Sequence, residues 1–128
     1  MAAFVQWSAG NGGTWCKLGE LELEHESFDG MEGVYVIWQD SGNPLVLRVG
    51  QGPIRDCLTK EQRNPQLSAY RPAALFVTWA PVNPVHRADV VRYLAAALKP
   101  TLGQRYPEGK QIKVNLPYFS RQTSAVCW

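Results

Sequence analysis

Apolar and β-branched side chains fill two short stretches in the first half of the chain, residues 33–38 and 44–50. Residues 39–43 between them, Gln-Asp-Ser-Gly-Asn, are turn formers at almost every position. Two valine-rich segments joined by such a turn predict a β-hairpin. Few polar residues interrupt a third apolar stretch, residues 74–80, which we therefore predict to be a central strand of the same sheet.

A helix is predicted directly after the hairpin. Pro53 suits the start of a helix, where its missing N–H group is not needed. Ile54, Cys57 and Leu58 then follow at the spacing of one buried helical stripe. The helix should end before Pro65, because a residue that precedes proline is disfavoured in the helical conformation.

A second helix is predicted from Pro84, with Asn83 as its N-cap, to the residues before Pro100. Its apolar face comprises Val90, Val91, Leu94 and Leu98. Residues 112–116 alternate apolar and polar side chains, and this alternation predicts a short closing strand.

The N-terminal third of the chain has weaker patterns. Residues 5–16 are rich in glycine and carry a tryptophan near each end, which predicts a loop. Leucines alternate with glutamates over residues 20–24, a period of two that favours a short edge strand with its charged side in water. A short helix would fit the same leucines. The tail, residues 120–128, is predicted to be loosely held.

Length and composition are those of an ordinary globular domain. The 128 residues suit a single domain spanning 1–128, and the hydrophobic content of 45% and charged content of 19% are typical of soluble proteins. The longest apolar run, residues 93–98, is far shorter than the ~20 residues that span a bilayer. The first residues lack a basic and an apolar region of secretory length, so we expect neither a membrane segment nor a signal peptide.

The three cysteines, Cys16, Cys57 and Cys127, are odd in number and widely spaced. This arrangement argues against a disulfide framework and against a zinc site built from closely spaced cysteine pairs. A reducing compartment fits it best, and we therefore predict that the protein is cytoplasmic.

Charge is unevenly distributed along the chain, although the net charge is only +2. Residues 1–47 carry −6 and residues 48–128 carry +8. A segregated positive surface is typical of proteins that bind polyanions. The alternative is that the acidic segment of residues 20–26 neutralises these cations in three dimensions.

The predicted order of hairpin, helix, strand and helix carries two short motifs. Gly33-Val34-Tyr35 lies on the first strand and Arg48-Val49-Gly50 on the second. Together they resemble the signature strands of the GIY-YIG nuclease family over residues 31–103, which leaves an N-terminal extension, 1–30, and a C-terminal strand and tail, 104–128. The resemblance implies a small α/β fold with a mixed β-sheet flanked by helices.

Members of that family hydrolyse a DNA phosphodiester with one divalent metal. The resemblance implies two tyrosines that position or deprotonate water, an arginine that steadies the phosphate and a glutamate that holds the metal. A hard cation needs an oxygen ligand, and charge that develops on phosphate needs a fixed cation. The four positions fall on Tyr35, Arg48, Cys57 and Val91, so only the first tyrosine is retained. An asparagine that often follows the helix-ending proline falls on Gly103.

The substitutions remove the groups that such chemistry requires. Arg48 cannot act as a base, because a guanidinium group stays protonated near neutral pH. Val91 has no lone pair for a metal, and loss of one charge-stabilising group from a hydrolytic site costs on the order of 100- to 1000-fold in rate. We therefore predict a domain that has kept the fold and lost nuclease catalysis, with no cofactor.

Three other residues offer a rearranged site. Glu61 and Asp89 are carboxylates near substituted positions, and His86 is of a residue type that serves as base or ligand near neutral pH. With them the chain would be an active endonuclease that uses Mg²⁺ or Mn²⁺. Asp89, two residues before Val91, should point away from it, because two residues along a helix rotate by about 200°. The simpler interpretation is that all three are solvated helix residues, so no metal site is expected.

Binding is the function that these features predict, with DNA as the first choice of partner. Arg48, Arg55, Lys60 and Arg63 lie on or just after the signature hairpin and are candidate phosphate contacts. The alternative from a different class is a protein-interaction module that presents the acidic N-terminal segment to a partner.

Overall fold

The computed structural model describes residues 2–8, 15–41, 43–70, 75–102 and 108–117. These residues form a small mixed α/β fold, as the sequence predicts. No helix in the described part of the chain has the length and apolar character that crossing a membrane requires. The predicted first residue of the third strand, Ala74, the Gly103 position and the tail from residue 120 lie outside the described residues.

Two short parallel strands, β1 (Ala2–Ala3) and β6 (Lys113–Val114), form a separate pair. The central sheet is antiparallel and contains β2 (Cys16–Lys17), β3 (Glu32–Ser41), β4 (Asn43–Pro53) and β5 (Leu75–Pro81). Its strands lie in the order β2-β5-β3-β4. Since β5 has a neighbour on each side, the prediction of a central third strand is confirmed. The hairpin of β3 and β4 is confirmed as well, and it extends further than predicted.

In the described part of the chain three helices accompany the sheet: α1 (Ile54–Gln62), α2 (Pro65–Ser68) and α3 (Pro84–Leu98). Both predicted helices are confirmed, whereas α2 is a single turn that the apolar pattern did not predict. Asn83 caps α3 by accepting the N–H of Val85 at 3.0 Å. Lys99 adopts the left-handed conformation, with φ of 50°, and ends α3 just before Pro100.

The two faces of the central sheet carry separate cores. The core that α3 covers takes Val34, Val36 and Trp38 from β3. The core that α1 covers takes Tyr35 and Ile37 from β3, together with Ile54 and Leu58 from α1. Because successive strand residues point to opposite faces, α1 and α3 pack on opposite sides of the sheet.

A β-bulge changes the register between β3 and β4. Ile37 pairs with Arg48, whereas the next residue, Trp38, pairs with Val46. Leu47 is therefore an extra residue on β4, and its side chain is buried in the core beside α1. Bulges redirect side chains, and this one leaves Leu47 and Arg48 together on the face of the sheet that α1 covers.

The N-terminal segment departs from the predicted edge strand. It forms two 3₁₀ turns, Leu18–Glu20 and Glu26–Phe28, with no strand between them. Leu21 and Leu23 are buried while the glutamates beside them are exposed. Arg55 of α1 donates to the carbonyl oxygen of Leu23 at 2.6 Å. The alternation therefore reflects packing of an irregular segment against α1, and not pairing with a neighbouring strand.

Cys16 is disulfide-bonded, whereas Cys57 is a free thiol. The sequence argues against a disulfide framework, and a bond at Cys16 does not constitute one. An odd number of widely spaced cysteines excludes a framework of several bridges more strongly than it excludes one bridge, because separation along the chain does not fix separation in space.

Candidate functional site

Tyr35 lies on β3 with its ring against the backbone of β4. Its partner across the strands is Gly50, and a Cβ built on Gly50 would lie 2.4 Å from the phenol oxygen. A Cβ on Gly33 would lie 1.9 Å from the carbonyl oxygen of Ala80 on β5. The two signature glycines therefore have structural reasons: Gly33 lets two strands approach, and Gly50 makes room for the tyrosine ring.

Glu61, in the last turn of α1, receives three hydrogen bonds. The Tyr35 hydroxyl donates to its Oε2 at 3.0 Å, and Nε of Arg48 donates to the same oxygen. Nδ2 of Asn64 donates to its Oε1 at 3.0 Å. Glu61 is only 4% exposed, so this carboxylate is a buried anion whose two oxygens are both occupied. We call these four residues the Glu61 network.

The electrostatics of the Glu61 network determine the protonation states of Tyr35 and Arg48. Burial, followed by the negative charge of Glu61 and the hydrogen bond to it, raises the pKa of Tyr35 far above its ordinary range. Burial acts to lower the pKa of Arg48, but the Glu61 charge and hydrogen bond outweigh it, so the pKa of Arg48 is raised. Tyr35 is therefore a neutral donor and Arg48 a cation at neutral pH. Neither accepts a proton there.

Glu61 is the residue that the sequence interpretation placed wrongly, as a solvated helix side chain. It follows Leu58 by three positions and Ile54 by seven, so it continues the buried stripe of α1. That spacing is the signal that identifies it. Asn64 is also the N-cap of α2, because its Oδ1 accepts the N–H of Gln66 at 2.9 Å. Its position directly before Pro65 is typical of such a cap.

Cys57, where the resemblance implies arginine, is half-buried on α1 next to the Glu61 network. Its Sγ donates to the carbonyl oxygen of Gln51 at 3.4 Å. Burial raises the pKa of its thiol, and the nearby Lys60 only partly opposes that effect. The thiol form that results is a weak nucleophile. Cys57 therefore supplies neither a phosphate clamp nor an activated sulfur.

Val91, where the resemblance implies the metal-binding glutamate, lies in the core on the other face of the sheet from Tyr35. It is 4% exposed and belongs to the same cluster as Val34 and Val36. The fold therefore does not bring Val91 and Tyr35 to one groove. Arg87, one turn earlier on α3, is 8% exposed and pairs with Glu32 at 3.3 Å.

The four candidate phosphate contacts differ in their surroundings. Arg55 clamps the N-terminal segment through the carbonyl oxygens of Leu23 and His25 and through Asp29 at 2.7 Å. Arg48 belongs to the Glu61 network, with 22% of its side chain exposed. Lys60 and Arg63 are exposed at the C-terminal end of α1. Asp29, just beyond the acidic segment of residues 20–26, therefore neutralises Arg55, whereas Lys60 and Arg63 are exposed to solvent.

The carboxylates and the histidine that offered a rearranged site are not brought together. Asp89 pairs with Arg92 at 2.7 Å, and His86 is exposed; both lie on α3, across the sheet from Glu61. Among the described residues, no three side chains of His, Cys, Asp or Glu cluster as metal ligands. Glu61 is 4% exposed, and its two oxygens already accept three hydrogen bonds. The residues present therefore do not fit the divalent metal that the resemblance implies.

We compared the chain with protein-family models, with curated proteins and with solved structures, and none of them matches it.

Proposed function

We propose that this protein is a non-catalytic domain of GIY-YIG-like fold that binds the phosphate backbone of DNA. The observation that carries the proposal is the Glu61 network, which occupies the position beside the retained tyrosine where the resemblance implies chemistry. Lys60 and Arg63 remain available to a polyanion at the end of the same helix.

Three features of the Glu61 network support the loss of catalysis. The phenol of Tyr35 donates a hydrogen bond to Glu61, and its raised pKa keeps it neutral, so it is not a base toward water. Both oxygens of Glu61 are occupied by donors. Hydrolysis of a phosphodiester needs a base and an electrophile that meet at one phosphate. Next to Tyr35 the cation Arg48 is present, but the carboxylate there, Glu61, is buried and already accepts three hydrogen bonds.

The choice of DNA rests on charge and exposure. Lys60 and Arg63 are three positions apart at the end of α1, so they lie on one side of the helix axis. Arg48, partly exposed on β4, is close to the same end through its contact with Glu61. Cations of this kind recognise phosphates without reading bases, so binding should be weak and tolerant of sequence.

A cleavage assay tests the first half of the proposal. Plasmid and branched DNA are incubated with the protein and either Mg²⁺ or Mn²⁺, and we expect no nicking above background. The variant Tyr35→Phe is the control for contamination, because it removes the retained family hydroxyl. Metal-dependent nicking that is lost in Tyr35→Phe would establish the alternative, an active endonuclease with a rearranged site.

Salt dependence tests the second half. Each phosphate that a cation neutralises adds about 0.9 to the slope of log affinity against log salt, so contacts from Arg48, Lys60 and Arg63 predict a slope near −3. The variants Lys60→Gln and Arg63→Gln should each flatten the slope by roughly one unit. Lys113→Gln, an exposed lysine on β6, is the matched control and should leave it unchanged. Arg48 is unsuitable for this test, because its substitution also breaks the contact with Glu61.

Fluorescence anisotropy with a short labelled duplex of mixed sequence provides the measurement. Absence of binding at low salt, or a slope that Lys60→Gln and Arg63→Gln leave unchanged, would contradict the DNA proposal. The acidic residues exposed along the N-terminal segment would then become the first surface to test for a protein partner.

A further inference from the structure

Residues 2–8, which we call the strap, run along the core that α3 covers. Val5 is buried in that core, and Trp7 is half-buried against it. Phe4 and Gln6, which alternate with them, are exposed. The strap therefore lies on the domain as an extended segment that buries alternate side chains, and it packs less apolar surface than a strand covered on both faces.

Asn115, directly after β6, holds the middle of the strap. The N–H of Val5 donates to its Oδ1 at 2.7 Å, and its Nδ2 donates to the carbonyl oxygen of Val5 at 2.9 Å. Nε1 of Trp7 donates to the backbone carbonyl oxygen of Asn115 at 2.8 Å. A side-chain amide offers a donor and an acceptor, as a backbone peptide group does, so Asn115 replaces a neighbouring strand for Val5.

The two ends of the strap are attached by short pairings. At its start, β1 pairs with β6 over two residues, and this pair is separate from the central sheet. At its end, the N–H of Ser8 donates to the carbonyl oxygen of Trp79 at 2.8 Å, and Oγ1 of Thr78 donates to the carbonyl oxygen of Ser8 at 2.7 Å. An isolated pair of strands is marginally stable. β5 keeps its long pairing with β3 whether or not Ser8 is in place.

The strap also forms part of the wall of an apolar cavity of about 240 Å³. Phe4 and Val5 of the strap line this cavity together with Val90 of α3 and with Ile112 and Val114 at β6. Displacing the strap would therefore turn an enclosed apolar lining into an exposed apolar surface.

We propose that the strap is a lid that opens from the folded domain as one unit, with Asn115 as its clasp. Segments that have few buried apolar contacts and are attached by a small number of hydrogen bonds open locally, at a lower free energy than global unfolding. The strap meets both conditions. Its opening exposes the cavity lining while the central sheet stays intact, so the inference goes beyond the proposed DNA binding and does not depend on it.

Hydrogen exchange of single amides, followed by NMR on the full chain, tests the lid. Asn115→Ala removes the two side-chain bonds to Val5 but leaves the bond from Ser8 to Trp79 in place. If the strap opens as one unit, the protection of the Ser8 amide should nevertheless fall at least about fivefold. Val34 is the internal reference, because β3 is paired on both sides, and its amide should stay far better protected than the strap in every variant.

Thr78→Val makes the reciprocal test. It removes the hydroxyl that binds Ser8, at the other end of the strap, and keeps a branched side chain at this buried position. The protection of the Val5 amide should then fall by about two- to tenfold. The matched control is Thr59→Val, which removes a hydroxyl that donates to the carbonyl oxygen of Arg55, also at 2.7 Å, on α1. It should leave the ratio of strap protection to Val34 protection unchanged.

Three outcomes would overturn the proposal. The strap amides of the parent protein would be as well protected as Val34, so that no local opening exists. Each substitution would affect only the amide that it contacts, so that the two ends move independently. Both substitutions would lower the protection of Val34 as much as that of the strap, so that the strap leaves only on global unfolding.

Discussion

Replacing Glu61 by glutamine is the most direct test of the Glu61 network. The amide has nearly the shape of the carboxylate, so packing around the side chain is preserved. It differs in charge and in its hydrogen-bonding pattern, because it has one acceptor oxygen and one NH₂ group. Arg48 and Tyr35 donate to one oxygen and Asn64 donates to the other, so either orientation of the amide leaves at least one donor facing NH₂.

The loss of stability expected for Glu61→Gln follows from the burial of its ion pair with Arg48. Breaking a fully buried ion pair by removing one partner costs about 3–5 kcal/mol. Arg48 keeps 22% of its side chain in water, which reduces that figure, while the unsatisfied donor adds roughly 1 kcal/mol or more. We expect Glu61→Gln to lower the free energy of unfolding by about 2–3 kcal/mol. With a urea dependence of about 2 kcal/mol per molar, the unfolding midpoint should fall by about 1–1.5 M.

Urea unfolding followed by tryptophan fluorescence measures this change, because Trp15, Trp38 and Trp79 are buried in the cores. The matched control is Glu20→Gln, an exposed carboxylate whose loss should cost little. A cycle with Arg48→Met separates the pair from the fold: the double variant should be less destabilised than the two single effects predict by at least about 1 kcal/mol. If Glu61→Gln costs no more than Glu20→Gln, the carboxylate is not the buried anion described here.

Three further predictions concern Tyr35 and the positions that the sequence resemblance singles out. Gly50→Ala should lower the free energy of unfolding by about 2–4 kcal/mol, because a Cβ there would lie 2.4 Å from the phenol oxygen. Gly19→Ala, with no atom within 4 Å of its Cβ, should be nearly neutral, and thermal unfolding of the two variants measures the difference. Because the pKa of Tyr35 is raised in the folded protein, only the unfolded chain releases the phenol proton just above about pH 10, and the free energy of unfolding should fall as the pH rises in that range. Tyr35→Phe should lose that part of the pH dependence. Val91→Glu should lower the free energy of unfolding in urea by more than about 3 kcal/mol, as an unpaired buried charge does. Cys57→Arg, at a half-buried position, should lower it much less. Equal, small decreases would show that both positions open to solvent.

The elements of this fold could be predicted from the sequence wherever local chemistry decides. Turn formers at residues 39–43, proline at 53 and the Asn83–Pro84 cap each act within a few residues, and the hairpin and both long helices lie where they indicate. The alternation at Leu21 and Leu23 was misread, since a period of two also arises in an irregular segment whose leucines pack on a helix. The hydrophobic pattern predicts which side chains are buried, but it does not predict which element of the fold covers them.

The site could be predicted only in part, because its geometry depends on contacts that are distant in the chain. Tyr35 and Glu61 are 26 residues apart, and their contact requires the hairpin, the bulge and α1 to be in place together. The side of the sheet on which α3 packs likewise has no local signal. Tyr35 and Val91, which the resemblance implies to share one catalytic groove, therefore lie on opposite faces of the sheet without any signal of it in the sequence.

Arg48 and Glu61 are best understood as one unit. An arginine on the covered face of β4 would be an uncompensated, partly buried cation, and a glutamate on the buried stripe of α1 would be an uncompensated anion. Each satisfies the other, and Tyr35 and Asn64 supply the remaining donors to the carboxylate. A tyrosine placed at position 48 alone would leave the Glu61 anion without its cation, so it would destabilise the fold without creating a base or a metal ligand. Chemistry of the kind that the sequence resemblance implies would therefore require the whole Glu61 network to be replaced together.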